Sequence, residues 1–239
     1  MNAESSSTSW SNTDKRFVAF LDILGFKDLV MRSTHADIYK LLSSISENTD
    51  LINQVQQHKD FKQEFEDSEI YTVSFSDSII IFSKNDSADS FEFFLFCVGR
   101  IFTSAIENGI PIKGSIAYGE ISLDKSRQIY FGQPIIDAYL LEEDLNYYGI
   151  VAHNSIDEYI SESDNELYLN VFRDIPTPLK CGTINHLNLN WFVRLKGFDD
   201  SSDKIDYISQ TINRFKLMSS GSPRRYIDNT LQVINRIFK

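Results

Sequence analysis

Four apolar strands and two helical stretches alternate through the first half of this chain in an order that sharply limits its fold. Arg16–Asp22 (RFVAFLD) is a short apolar run bounded by charge, which predicts a buried strand. Gly25-Phe26 follows, and a helical stretch begins there. It continues through Ala36–Val55, where Ile38, Leu41, Leu42, Ile45, Leu51 and Ile52 recur at helical spacing. The charged segment His58–Ser68 reads as an exposed connection. Strands Ile70–Phe75 and Ile79–Phe82 then flank Ser76-Asp77-Ser78, a tight-turn sequence. Asp86-Ser87-Ala88-Asp89 supplies capping residues ahead of the apolar helix Phe91–Glu107, and Asn108-Gly109 ends it. Pro111–Gly119 is the fourth strand. The order is β-α-β-β-α-β, the ferredoxin-like or palm arrangement of an α+β fold.

The second half is less regular. It predicts a helix at Pro134–Tyr148, a strand at Ile150–His153, a short helix near Ser155–Ile160 and a strand at Trp191–Leu195. Helices near Ile205–Met218 and Arg224–Phe238 close the chain. The division expected is a flexible polar tail over residues 1–14, a main α+β domain over 15–200 and a helical C-terminal segment over 201–239 packed on it. Hydrophobic residues make up 42% and aromatics 13%, enough for a sizeable core. The net charge of −11 argues against nucleic acid as a partner, because phosphate backbones need a basic footprint. A small phosphorylated ligand remains compatible, since a local cluster of metal and donors overrides net charge. Two cysteines, Cys97 and Cys181, form no metal spacing or disulfide framework. With no apolar run of membrane-spanning length and a Ser-rich start, the expectation is a cytoplasmic protein without membrane contact.

Asp22 closes the first strand and Asp77 sits at the hairpin tip. In a palm sheet those strands are neighbours, so the two carboxylates can converge. Either residue alone reads as readily as a turn former. Together, at the ends of buried strands, they suit two hard cations serving phosphoryl transfer, because an unpaired carboxylate there is costly. Backbone N–H groups at the Gly25-Phe26 turn suit phosphate oxygens.

Phe20-Leu21-Asp22-Ile23-Leu24-Gly25-Phe26 resembles the F-x-D-I-x-G-F motif of class III adenylate and guanylate cyclases. Ser76-Asp77 resembles the Gly-Asp of their metal-binding hairpin. Lys113–Glu120 (KGSIAYGE) resembles the R-x-G-I-x-x-G strand, and Gly132–Glu142 (GQPIIDAYLLE) resembles the start of the catalytic helix, G-x-x-V-N-x-A-x-R-L-E. The resemblance covers roughly Phe17 to His153. It implies that Asp22, Asp77 and the Ile23 carbonyl bind two divalent ions, Mn²⁺ or Mg²⁺. It also implies that the backbone of Gly25, Phe26 and Lys27 holds a triphosphate, and that a homodimer places sites at its interface.

The departures matter equally. The family's catalytic-helix Asn falls on Ile136 and its transition-state Arg on Leu140, so another cation must neutralise charge or the site is silent. Lys113 and Arg100 are the leading candidates, with Arg127, Lys180 and Arg194 behind them. The two purine-reading positions fall on Val73 and Ile129, which hydrogen-bond no base edge; Tyr71 flanks the same pocket and offers a stacking face. This combination resembles the pyrimidine cyclases of bacterial Pycsar anti-phage defence. They convert UTP or CTP to the 3′,5′-cyclic monophosphate, which activates a separate effector; UTP is favoured here. The alternatives are a cyclase of purine or mixed specificity, another palm nucleotidyltransferase, and a catalytically silent nucleotide-binding module.

Overall fold

A computed structural model describes residues 9–43, 68–162, 171–194 and 201–237. Eight strands form one sheet: β1 (Thr13–Ile23), β2 (Ile70–Phe75), β3 (Ser78–Ser83), β4 (Ile112–Asp124), β5 (Ile129–Phe131), β6 (Ile150–Ala152), β7 (Phe172–Leu179) and β8 (Gly182–Leu189). Their order is β2-β3-β1-β4-β6-β8-β7, with β5 paired to β4. The helices are α1 (Phe26–Arg32), α2 (35–43), α3 (Ala88–Glu107), α4 (Gln133–Asp144), α5 (Asn154–Glu162), α6 (Ser201–Arg214) and α7 (Arg224–Ile237). The β-α-β-β-α-β core is the one the sequence predicts, and the fold is α+β. No described helix is long and apolar enough to cross a membrane.

The alternation of β1 sorts its side chains onto two faces. Phe17, Ala19, Leu21 and Ile23 enter the main core with α3, whose Phe91 ring lies 4.2 Å from that of Phe17. Val18 and Phe20 enter a second cluster on the opposite face, and Asp22 shares their side of the strand. Helix α3 starts where its cap dictates: the Ser87 hydroxyl accepts from the Ser90 N–H at 3.2 Å. Helix α4 covers the Asp22 face. Its Tyr139 ring meets Phe20 edge-on at 5.3 Å, and the Ser115 hydroxyl donates to the Ala138 carbonyl at 2.5 Å.

β1 runs antiparallel between β3 and β4, and Gly114 of β4 lies opposite Leu21. A Cβ on Gly114 would stand 2.3 Å from Leu21 Cδ2 and 2.7 Å from the Phe20 carbonyl oxygen. Gly114→Ala should therefore cost about 1–3 kcal/mol through overpacking. A thermal midpoint equal to wild type would contradict this close approach.

Several elements depart from expectation for identifiable reasons. β1 begins at Thr13 rather than Arg16, because Thr13 and Asp14 pair with Ser122 and Ile121 on a β4 that itself runs to Asp124. The β7–β8 hairpin is not marked in the sequence as two strands. Pro176 and Pro178 interrupt its strand signal, and both are tolerated because β7 is an edge strand. Trp191–Arg194 is a 3-10 turn, not a strand; its aromatic run packs on α3, with the Trp191 and Phe102 centroids 5.0 Å apart. The helix end expected past residue 43, the connection up to residue 67, Leu195 and Phe238 lie outside the described residues.

The C-terminal helices dock on the core. Ile208, Ile212, Phe215, Ile227 and Ile234 belong to its main cluster. Tyr148 is the anchor: its ring lies 5.2 Å from Phe215, and its N–H donates to Thr230 Oγ1 at 2.8 Å.

Candidate active site

The carboxylates meet through backbone register. Asp22 lies opposite Ser78 on β3 and opposite Lys113 on β4. The Ile23 N–H donates to the Asp77 carbonyl at 3.0 Å, tying the hairpin turn to the end of β1. The Leu24 N–H donates to the Pro111 carbonyl at 2.8 Å, closing the strand's other side. Asp22 titrates above the ordinary carboxylate range. Burial is the main cause, the Asp77 charge adds to it, Lys113 opposes it, and Glu143 adds a smaller push.

The turn itself is strained. Ser76 adopts φ 58, the left-handed region, where the resembled hairpin carries glycine. The Phe75–Ser78 pair encloses two turn residues, a loop that favours glycine at positive φ. Ser76→Gly should raise stability by up to about 1 kcal/mol by relieving this conformation. A lower thermal midpoint would contradict the strain.

The resembled triphosphate loop follows directly. Gly25 takes φ 73 and caps α1 without a side-chain bond, leaving first-turn N–H groups at Phe26 and Lys27. Phe26 is buried and Lys27 is exposed.

Tyr71 and Val73 lie on the Asp22 face, since Tyr71 pairs with Phe82 and Val73 with Ile80, which pairs with Phe20. Both pack with the second apolar cluster. The Tyr71 hydroxyl bonds that of Tyr130 at 2.8 Å, so β5 does reach the pocket. It reaches it through Tyr130. Ile129, the residue expected there, is 49% exposed and alternates to the other side of the strand. A separate cleft of about 310 Å³, lined by Gly119, Glu120 and Phe131–Pro134, opens at the start of α4, the opposite end of that helix from Lys113.

The expected charge stabilisers separate by place. The Lys113 ammonium is buried and bonds the Glu142 carbonyl at 2.7 Å and those of Glu143 and Leu145 at 3.4 Å, with Glu142 Oε1 at 2.9 Å. It closes the C-terminus of α4. Arg100 lies on α3, which packs against the face opposite Asp22. Arg127 pairs with Asp124 at 3.4 Å in the β4–β5 turn. Lys180 sits on the β7–β8 turn, where its N–H bonds the Asp144 carbonyl at 2.7 Å. The side chain of Arg194 lies outside the described residues.

Glu142 opens a run of three carboxylates, Glu142-Glu143-Asp144, that reads in sequence as a solvated helix face, yet it is 2% exposed. Burial lifts its carboxyl to about 7 against the pull of Lys113. The signal was present: Pro134, Ala138 and Glu142 fall on one buried stripe at four-residue spacing.

Asp22, Asp77 and the Ile23 carbonyl are an all-oxygen donor set. Among the described residues no group of three or more His, Cys, Asp or Glu side chains is set for a metal. A pair of carboxylates completed by substrate phosphates is how Mg²⁺ is commonly held, so the residues fit such an ion.

No protein-family model matches the chain, and no curated protein sequence matches it. Solved structures do. The catalytic core of a rhodopsin-guanylyl cyclase with converted specificity, in complex with ATPαS, superposes at TM-score 0.54 with 16% identity, covering 74% of this chain and 96% of that one. The fold is that of a nucleotidyl cyclase domain. A bacterial light-regulated adenylyl cyclase gives TM-score 0.50 with 13% identity over 85% of this chain and 99% of that one. The non-canonical dimeric guanylyl cyclase domain of the RhoGC fusion protein from the aquatic fungus Blastocladiella emersonii gives 0.52 with 15% identity over 73% and 93%. The strand register puts Asp22 and the Asp77 turn at one end of this sheet.

Proposed function

We propose that this protein is a nucleotidyl cyclase that converts UTP, or CTP, to the 3′,5′-cyclic monophosphate and pyrophosphate. The observation that carries the reading is the register: Asp22 and the Asp77 hairpin share a sheet end, and Val73 and Tyr71 share the Asp22 face. The ribose 3′ oxygen forms a bond to the α-phosphorus as the bond to the α–β bridging oxygen breaks. The electron pair leaves on pyrophosphate and the hydroxyl proton passes to water. Asp22, Asp77 and the Ile23 carbonyl would hold the divalent ions, Mn²⁺ or Mg²⁺, which when bound lower the pKa of a hydroxyl and neutralise phosphate charge. The N–H groups of Gly25, Phe26 and Lys27 orient the triphosphate.

Pyrimidine choice rests on what lines the pocket. Val73 presents no hydrogen-bonding group, and Tyr71 and Tyr130 spend hydroxyl capacity on each other at 2.8 Å. These side chains offer a purine edge no partner, and a base edge buried without one is penalised. Lys125 Nζ lies over the Tyr71 ring at 4.6 Å, so a base would stack on the ring surface that this cation leaves open. The cyclic product acts on a separate effector in anti-phage defence, as the Pycsar resemblance implies.

The enzyme works as a homodimer. Phe75, Phe131, Ile136, Tyr139 and Leu140 are 81%, 63%, 52%, 41% and 55% exposed, a concentration of apolar side chains on β2, β5 and α4 that a second copy would cover. The likeness to a guanylyl cyclase domain that forms a non-canonical dimer supports dimer formation.

The test is incubation of purified protein and Mn²⁺ with each of UTP, CTP, ATP and GTP, with products identified by mass. Cyclic UMP or cyclic CMP is the expected product. Turnover confined to ATP or GTP overturns the pyrimidine reading, and no product from any of the four overturns the enzyme in favour of a silent binding module.

A further inference from the structure

The departing pyrophosphate needs a cation, and the helix position that supplies one in the resembled enzymes holds Leu140, 55% exposed. We propose that Arg225, at the start of α7, supplies that positive charge on the same chain as Asp22 and Asp77; the inference rests on the cyclase reading.

The start of α7 is fixed at the Asp22 end of the sheet by a continuous set of contacts. Asp22 faces Lys113 across β1 and β4. The Lys113 ammonium holds the last carbonyls of α4, those of Glu142, Glu143 and Leu145. One residue further, the Asn146 carbonyl accepts from Asn229 Nδ2 at 2.7 Å. Asn229 is on α7, and Arg225 lies four residues before it, one turn earlier on the same helix face. Tyr226 beside it stacks on Tyr148 at 5.9 Å, and Thr230 accepts the Tyr148 N–H, so the helix cannot turn freely. Burial raises the Tyr226 hydroxyl's titration first, and the charges of Glu142 and Asp22 raise it further, which agrees with that placement.

Of Lys216, Arg224 and Arg225, the cations around the start of α7, Arg225 is the one without a described partner. Arg224 is spent on the Ser219 carbonyl at 3.0 Å and the Lys216 carbonyl at 3.3 Å. Lys216 pairs with Asp228 at 3.6 Å. Arg225 is exposed and makes no ion pair with a described residue. No Asp or Glu occurs from Tyr207 to Ile227, although the chain carries a net −11. That local excess of cations, with the positive end of a 14-residue helix, opposes the acidic field of the rest of the molecule. As the bond from the α-phosphorus to the bridging oxygen breaks, the electron pair passes to the pyrophosphate, and a guanidinium is suited to receive it bidentately.

The experiment compares wild type, Arg225→Ala, Arg225→Lys and Lys180→Ala, the last because its turn meets the same end of α4. Two readouts are taken with Mn²⁺ present: kcat for UTP and CTP, and calorimetric binding of inorganic pyrophosphate. Arg225→Ala should lower kcat about 100-fold and weaken pyrophosphate binding at least about tenfold, with the thermal midpoint kept and Arg225→Lys restoring part of both. A kcat within about threefold of an active wild type overturns the inference, as does a large loss confined to Lys180→Ala. If the wild type turns over no nucleotide, the cyclase reading fails. Pyrophosphate then decides separately: weaker binding by Arg225→Ala keeps the phosphate contact, and equal or absent binding removes it.

Discussion

Asp77→Ala should abolish cyclic nucleotide formation while leaving the thermal midpoint equal to or above that of wild type. The two halves of this result have one cause. Asp77 holds the hairpin to β1 through its backbone carbonyl, which accepts from Ile23, and alanine keeps that bond. What the substitution removes is a negative charge that pushes the Asp22 titration upward. Like charges in one place destabilise the native state, so their separation is neutral or favourable for folding. The same pair, when filled, would supply several kcal/mol of charge neutralisation, and its loss corresponds to roughly 10³-fold or more in rate. Activity and circular dichroism melts on one preparation check both. A collapsed melt would make Asp77 a structural turn residue, and retained activity would move the metal site elsewhere.

The meeting of Asp22 with the Asp77 turn was legible in sequence because each part is local. RFVAFLD shows a buried strand and its terminal carboxylate within seven letters, and the Ser76-Asp77-Ser78 turn shows the other. The register that joins them follows from the palm order, since β1 and β3 must be neighbours. What remained hidden depends on contacts between distant segments. Ile129 and Tyr130 are adjacent, and one residue of strand extent decides which faces the pocket; β5 spans only three residues, too few for alternation to mark Ile129 as the outward one. Lys113 reads as a free cation when only β4 is in view. Its burial follows from where α4 ends, and α4 ends at Asp144 because Lys113 takes its carbonyls. Arg225 is the same case in reverse. Gly221-Ser222-Pro223 predicts the start of a helix but not which end of the sheet the helix meets.

Lys113→Met should lower stability by about 3–5 kcal/mol at pH 8 and by clearly less at pH 5. Both members of the Lys113–Glu142 pair are buried, at 4% and 3% side-chain exposure, with 2.9 Å between Nζ and Oε1. The Glu142 carboxyl titrates near 7 when folded, against an ordinary value of 4.5, because desolvation outweighs the attraction of Lys113. The native state therefore keeps a proton that the unfolded chain releases. The stability this proton contributes is complete below about 4.5 and is lost as pH rises through about 7. Removing the ammonium raises the folded value further, so at pH 8 the variant must bury an unpaired carboxylate or bind a proton against the solution. At pH 5 Glu142 is neutral in both proteins, and the loss shrinks to the uncapped carbonyls of Glu142, Glu143 and Leu145. Adding Glu142→Leu should return most of the stability at pH 8, since an apolar pair replaces a buried ion pair at little cost. Chemical denaturation of both variants at the two pH values separates charge from packing. An equal loss at both would assign the whole effect to packing and deny Glu142 its raised titration.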